Sequence, residues 1–384
     1  MEILNLKEVT KISKSKFNTL ESIAIVLSTL APFTVISLSR TLINETKSSI
    51  LLNLIYITFI CLIFVLLICY LFKKFSGLDI FDVSKFLGGN IFKNIVGFLF
   101  IVYFITTSSM LLRDFCECFR VIYYSYTDII YIIAIFAIII NFVSTFGFNS
   151  TVKTTAIIFP IIMVSVFLLF IGNIRNFSFE RISPILGNGI KNTFVTCLSN
   201  IGAFSGLIYL YILPPLLKEP QKYKKICVWS TILSGTFIIL CVATLLFMFS
   251  VYVSTDEVMP LFFASRYIEF GNFFQRFESL FLLIWTISFC CYLSICFKFS
   301  TYTFAKVFNL SDSAQLVNIF TALAFSLTLF PKQYATTTFF ESKIYRGISI
   351  SIMLLGFFIL VLGNWKLKYN NSKKKKGVRF WKKY

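Results

Sequence analysis

Ile50-Leu51-Leu52-Asn53-Leu54-Ile55-Tyr56-Ile57-Thr58-Phe59-Ile60-Cys61-Leu62-Ile63-Phe64-Val65-Leu66-Leu67-Ile68-Cys69-Tyr70-Leu71-Phe72 contains no charged residue. A helix of about 20 mostly apolar residues crosses about 30 Å of hydrocarbon, and this stretch is long enough by itself. Outward from it, about ten such stretches follow one another, separated by short polar breaks. They fall at 17–38, 49–72, 92–112, 128–146, 151–171, 194–217, 226–252, 274–297, 314–330 and 345–364. With 57% apolar and 14% charged residues in 384, no soluble domain could cover so much apolar surface. The expected fold is an all-α integral membrane protein of about ten helices. A tail at 1–16 precedes the bundle at 17–364, and a basic tail at 365–384 follows it.

The charge pattern sets an orientation. With both termini on the cytoplasmic side, the 36 Lys and Arg divide about two to one in favour of that side, as the positive-inside rule requires. The outer segment 173–192 contains Pro184, Gly187 and Gly189, which forbid a regular helix. The net charge of +19 lies between apolar stretches rather than on one soluble face, so a nucleic-acid partner is not expected. Lys373 to Lys376 and the basic residues after them form a solvated stop-transfer tail that also suits anionic membrane lipid. The ten cysteines show no CxxC pair, and histidine is absent. No metal, cofactor or enzymatic chemistry is therefore expected.

Two spans are interrupted. The first reads Leu27-Ser28-Thr29-Leu30-Ala31-Pro32, and the sixth reads Asn200-Ile201-Gly202-Ala203-Phe204-Ser205-Gly206 before Pro214-Pro215. Glycine and proline in a membrane helix fit two readings, close helix packing or unwound backbone around a cavity. The breaks fall five spans apart, at matching positions of a five-plus-five inverted repeat (17–171 and 194–364). Broken helices at such positions hold substrate in many transporters. The candidate binding residues are therefore Ser28, Thr29, Ala31, Gly202, Ala203, Ser205 and Gly206, whose freed amides would meet a carboxylate. Tyr103, Thr107, Met110 and Asp114 share one face of span three, and Glu278, Leu282, Trp285 and Phe289 repeat the spacing in span eight. Tyr103, Thr107 and Trp285 are the candidates for the other end of a ligand, against the alternative of ordinary interhelical packing. Glu21, Asp114, Glu117 and Glu278 lie near helix ends and are expected to pair with Arg113, Arg120 or Arg276.

Four stretches carry a resemblance. Phe274-Gln275-Arg276-Phe277-Glu278-Ser279-Leu280-Phe281-Leu282-Leu283-Ile284-Trp285 resembles the eighth span of the spore germination permease family, the B subunits of GerA-type nutrient germinant receptors. Ile182-Ser183-Pro184-Ile185-Leu186-Gly187-Asn188-Gly189, Leu213-Pro214-Pro215-Leu216-Leu217-Lys218 and Leu111-Leu112-Arg113-Asp114-Phe115-Cys116-Glu117 agree with it in order. The family is similar to amino acid, polyamine and organocation transporters, which implies the inverted-repeat fold. The resemblance implies a subunit that senses a small nutrient, an amino acid, in the inner membrane of a dormant spore. It also implies two partners, an A-type membrane subunit and a C-type lipoprotein. The first span departs from the family, with Ser28, Thr29 and Pro32 in place of a glycine-rich break. An active amino acid transporter and a non-binding structural subunit are the alternative functions.

Overall fold

The computed structural model describes residues 16–268, 277–310, 316–331, 337 and 339–381. The first tail up to residue 15, Phe274 to Arg276 of the span-eight stretch and the last three residues lie outside them. The main helices are α1 (Thr19–Ser28), α2 (Ser39–Thr46), α3 (Ile50–Phe72), α4 (Ile80–Tyr123), α5 (Ile129–Thr145) and α6 (Phe148–Gly172). After a 3-10 segment at Thr196–Tyr211 come α7 (Tyr223–Met248), α8 (Phe277–Phe308), α9 (Leu316–Thr328) and α10 (Arg346–Trp381). Among the described residues, seven helical stretches are long and apolar enough to cross a membrane, and α5 and α9 are shorter apolar helices. The first of the seven, Thr19–Phe75, doubles back at Lys47, whose φ of 57° separates α2 from α3.

Helix α3 shows why this is a membrane fold. Asn53, Ile57, Cys61, Val65, Ile68 and Phe72 recur on one face and are buried. The opposite face carries Ile55, Phe59, Ile63, Leu67 and Tyr70, all well exposed. A helix apolar on every side needs protein on one face and lipid on the other. Its buried face packs mainly on α7, while α8 packs on α4 and α6, and α10 lies along the 3-10 segment and α4.

Three elements differ from the sequence expectation. Residues 80–87, expected in an inner loop, form the start of α4, which kinks at Gly88 and Gly89 before crossing. Asp79 makes that start possible, because its carboxylate accepts from the amides of Phe81 and Asp82, both at 3.1 Å. Helix α8 continues past 297 to Phe308, so Lys298 and Lys306 are helical. The sixth span is wound in 3-10 turns over Thr196–Tyr211, broken by non-helical backbone at Cys197 and Phe204.

At one end of the bundle, Phe17 and Leu217 form an isolated parallel bridge, with Phe17 N–H donating to Leu216 O at 2.7 Å. Lys366 Nζ caps the carbonyls of Phe86 and Leu87 at this same end, at 2.7 and 3.0 Å.

Candidate functional site

The two interruptions meet. Helix α1 ends at Ser28, and the backbone resumes as a short turn at Ala31–Phe33 followed by a π-helical turn at Thr34–Leu38. Ser28 and Thr29 turn their hydroxyls back to the carbonyls of Ile25 and Val26, at 2.9 and 2.7 Å. Gly206 of the 3-10 segment sits directly against this end, where a Cβ would fall 2.5 Å from Val26 O and 2.7 Å from Thr29 Oγ1. Only a residue without a side chain permits that approach. The amides of Thr29 and Leu30 donate to Ile25 O and Leu27 O at 3.3 and 3.1 Å, so these two are not the freed donors expected from the sequence. The non-helical backbone at Phe204 lies within this contact region, and short π turns frequently mark functional sites.

Below the α1 end lies a cluster of hydroxyls and rings. Tyr345, the last residue of a second π turn (Phe340–Tyr345), is buried with its ring between two others. Phe33 stacks on it at 4.8 Å with 15° between planes, and Tyr103 lies on the other side at 6.3 Å and 11°. Its hydroxyl donates to Ser205 Oγ at 2.9 Å. Ser349 Oγ donates to Tyr103 Oη at 3.4 Å. Tyr209 Oη and Cys296 Sγ are 3.0 Å apart, and Thr107, Ser108 and Tyr292 face the same sulfur. Elements far apart in sequence, from 33 to 349, thus converge on one buried patch that contains no charged side chain among the residues named.

Of the expected site residues, Ser28, Thr29, Ala31, Tyr103, Thr107, Ala203, Ser205 and Gly206 are buried at the breaks or in this cluster. Gly202 serves another contact, since a Cβ there would meet Arg346 Cβ at 2.9 Å and its carbonyl at 3.0 Å. Trp285 packs on Phe237 of α7 and Phe281, at 6.1 and 5.5 Å between ring centroids. Its indole N–H has no hydrogen-bond partner among the described residues. Tyr209, Tyr292, Cys296, Tyr345 and Ser349 were not among the sequence candidates. Tyr345 stands at a span boundary, where tyrosine reads as an interfacial belt residue.

Each end of the bundle is closed by a buried ionic network. Beside the cluster, Arg346 directly follows Tyr345, pairs with Glu45 Oε1 and donates to Asn200 Oδ1 at 2.9 Å. Asn200 continues to Asn53 Oδ1 at 2.8 Å, and Asn53 to Thr193 O at 2.6 Å. The loop at 184–189 backs this network, as Ser48 Oγ donates to Pro184 O at 2.6 Å. At the opposite end, Lys306 Nζ lies 2.6 Å from Asp79 Oδ2 and 2.7 Å from Asp82 Oδ2, and Tyr302 Oη donates to Asp79 at 3.2 Å. Burial and the neighbouring Asp82 carboxylate push Asp79 up to about 7, with Lys306 pulling in the opposite direction. Of the acidic residues expected to pair at helix ends, Glu117 does so with Arg113 and Arg120, at 2.8 and 2.9 Å. Glu21 accepts from Asn18 N–H at 2.6 Å in the cap of α1.

These features define a helical membrane protein whose core is organised around an interrupted first helix and a 3-10 span, with a hydroxyl-rich aromatic cluster between two ionic seals. The family model described as spore germination protein matches residues 16–337, and the chain belongs to that family. It is similar to spore germination protein B2 of Bacillus subtilis (strain 168), 23% identical over 91% of this chain and 96% of the relative. Spore germination protein A2 of the same strain is 24% identical over 90% and 95%, respectively. Spore germination protein YndE of that strain is 21% identical over 92% and 97%.

Proposed function

We propose that the chain is the nutrient-sensing membrane subunit of a germinant receptor, with an amino acid as its ligand. One observation carries this reading: Tyr345, in the buried cluster, and Arg346, in the ionic seal beside it, are consecutive residues. A ligand that enters between Phe33, Tyr103 and Ser205 must displace the Tyr345 ring, and that motion pulls on the Arg346 and Glu45 pair. A ligand shifts such an equilibrium only through its different affinity for the two states. Ring faces and hydroxyls set ligand size and orientation, while Ser28, Thr29, Ala31, Tyr103, Thr107, Ala203, Ser205 and Gly206 form the surrounding wall. Gly202 acts through the approach of α10, and Trp285 bounds the α7 side.

The same reading includes ten spans in a five-plus-five inverted repeat, both termini cytoplasmic, in the spore inner membrane. An A-type membrane subunit and a C-type lipoprotein would receive the signal. The presence of a seal at each end also suits a transporter working by alternating access. Radiolabelled amino acids offered to the purified chain in proteoliposomes separate the two. Saturable binding without accumulation supports the sensor, accumulation supports the transporter, and neither activity supports a structural subunit. Labelling of cysteines placed at 218–225 and 175–191 tests the orientation.

A further inference from the structure

The end of the bundle closed by Lys306 holds a cavity, separate from the aromatic cluster. It measures about 640 Å³, within the range of about 300–1,000 Å³ usual for small-molecule sites. Its lining includes Leu66, Tyr70, Lys73, Gly77, Tyr223 and Lys224, so it lies between the end of α3 and the start of α7. The charges at its mouth have no carboxylate partner among the described residues. Nearby Glu219 pairs with Lys222 at 2.8 Å, and Asp79 and Asp82 are taken by Lys306. Neither Lys73 nor Lys224 has a carboxylate partner among the described residues. The 26-residue helix α7 begins at Tyr223 without a side-chain cap, which adds its positive dipole end. The other wall is apolar and faces outward, for Leu66 and Tyr70 belong to the exposed row of α3 and are 41% and 69% exposed.

We infer that this cavity binds an anionic phospholipid, the phosphate on Lys73 and Lys224 and the upper acyl chain along Leu66 and Tyr70. Two cations without a carboxylate partner among the described residues attract an anion, and a side wall continuous with the lipid-facing surface admits a chain. A soluble anion would make no use of that apolar wall. Basic pockets between membrane helices recognise lipid headgroups by this combination.

The test titrates full-length protein in a neutral detergent with dihexanoyl phosphatidylglycerol, dihexanoyl phosphatidylcholine and glycerol 3-phosphate. Saturable binding of the first alone is expected, weakened about tenfold or more by Lys73→Ala with Lys224→Ala. Lys73→Arg with Lys224→Arg should retain it, as should Lys74→Ala with Lys225→Ala, which removes equal charge outside the cavity. Unchanged binding in the Lys73 and Lys224 alanine variant overturns the inference, as does equal loss in the Lys74 and Lys225 control. Equal binding of phosphatidylcholine would reduce the cavity to a non-specific apolar groove. Equal binding of glycerol 3-phosphate would make it a soluble-anion site. Should the alanine pair aggregate, Lys73→Gln against Lys74→Gln repeats the comparison with one charge each.

Discussion

The two ionic seals use different chemistry. Beside the aromatic cluster, Arg346 pairs with Glu45 and donates to Asn200, which passes the bond on to Asn53, and the Glu45 side chain keeps 23% of its surface exposed. At the other end, one lysine serves two carboxylates, Asp79 fully buried and Asp82 at 6% exposure, and Asp79 also caps α4. The two cations are equally buried, so the ends differ in their carboxylates, and Glu45 is resolvated when its pair separates whereas Asp79 and Asp82 are not. Opening the Lys306 network strands buried charge and unwinds a helix start. On the proposed reading, the Arg346 end is the movable one and the Lys306 end is a clamp, an asymmetry that suits a sensor better than a symmetric pump.

The largest effect that can break this contrast is Lys306→Ala, expected to cost about 3–5 kcal/mol by leaving two buried carboxylates without a cation. Thermal melting of the purified chain checks it. Lys306→Met combined with Asp79→Asn and Asp82→Asn should recover most of the loss. Arg346→Ala should cost less, about 1–3 kcal/mol, since Glu45 reaches water, yet it should alter ligand response more than Lys306→Met with its two partners neutralised. Equal losses of stability at both ends would remove the asymmetry.

Gly206→Ala places a Cβ 2.5 Å from Val26 O, a backbone atom that cannot step aside, and should cost about 1–3 kcal/mol. Melting at matched protein levels reads it, and an unchanged midpoint would mean the two interruptions do not press together. Tyr345→Phe keeps both ring stacks and removes the hydroxyl that donates to Ser205, for about 1 kcal/mol. Its ligand ranking should change while its fold stays intact. The smallest effect is a slope in pH. Asp79, pushed up to about 7, takes up a proton on folding between the ordinary carboxylate range and that value, so stability falls as pH rises through the window. Asp79→Asn should flatten melting curves recorded across it.

Much of this architecture was legible in residues alone, and the exceptions have physical causes. The run from Ile50 to Phe72 announced a span, but its lipid row and its buried row are equally apolar, so hydrophobicity could not say which face packs on α7. The interruption at Gly202 and Gly206 was readable from composition, whereas its 3-10 winding depends on contacts with α1 and α10 that no local pattern encodes. Lys298 and Lys306 read as loop residues because charge usually ends a span. Lys306 stays in the helix because Asp79 and Asp82 neutralise it from a segment more than 200 residues away. Tyr345 and Arg346 were obscured by their position at a boundary, although they link the site to its seal.

On the proposed reading, the aromatic cluster opens with the Arg346 seal and independently of the Lys306 seal. Cys296, fully buried against Tyr209, reports that opening directly in a background where the other nine native cysteines are replaced. The measurement is the rate at which a membrane-impermeant thiol reagent modifies Cys296 in oriented vesicles. The rate should rise several-fold in Arg346→Ala and stay at the parental value in Lys306→Met with Asp79→Asn and Asp82→Asn. An equal rise in both variants, or a rise in the Lys306 variant alone, would show that the cluster does not open through the Arg346 end.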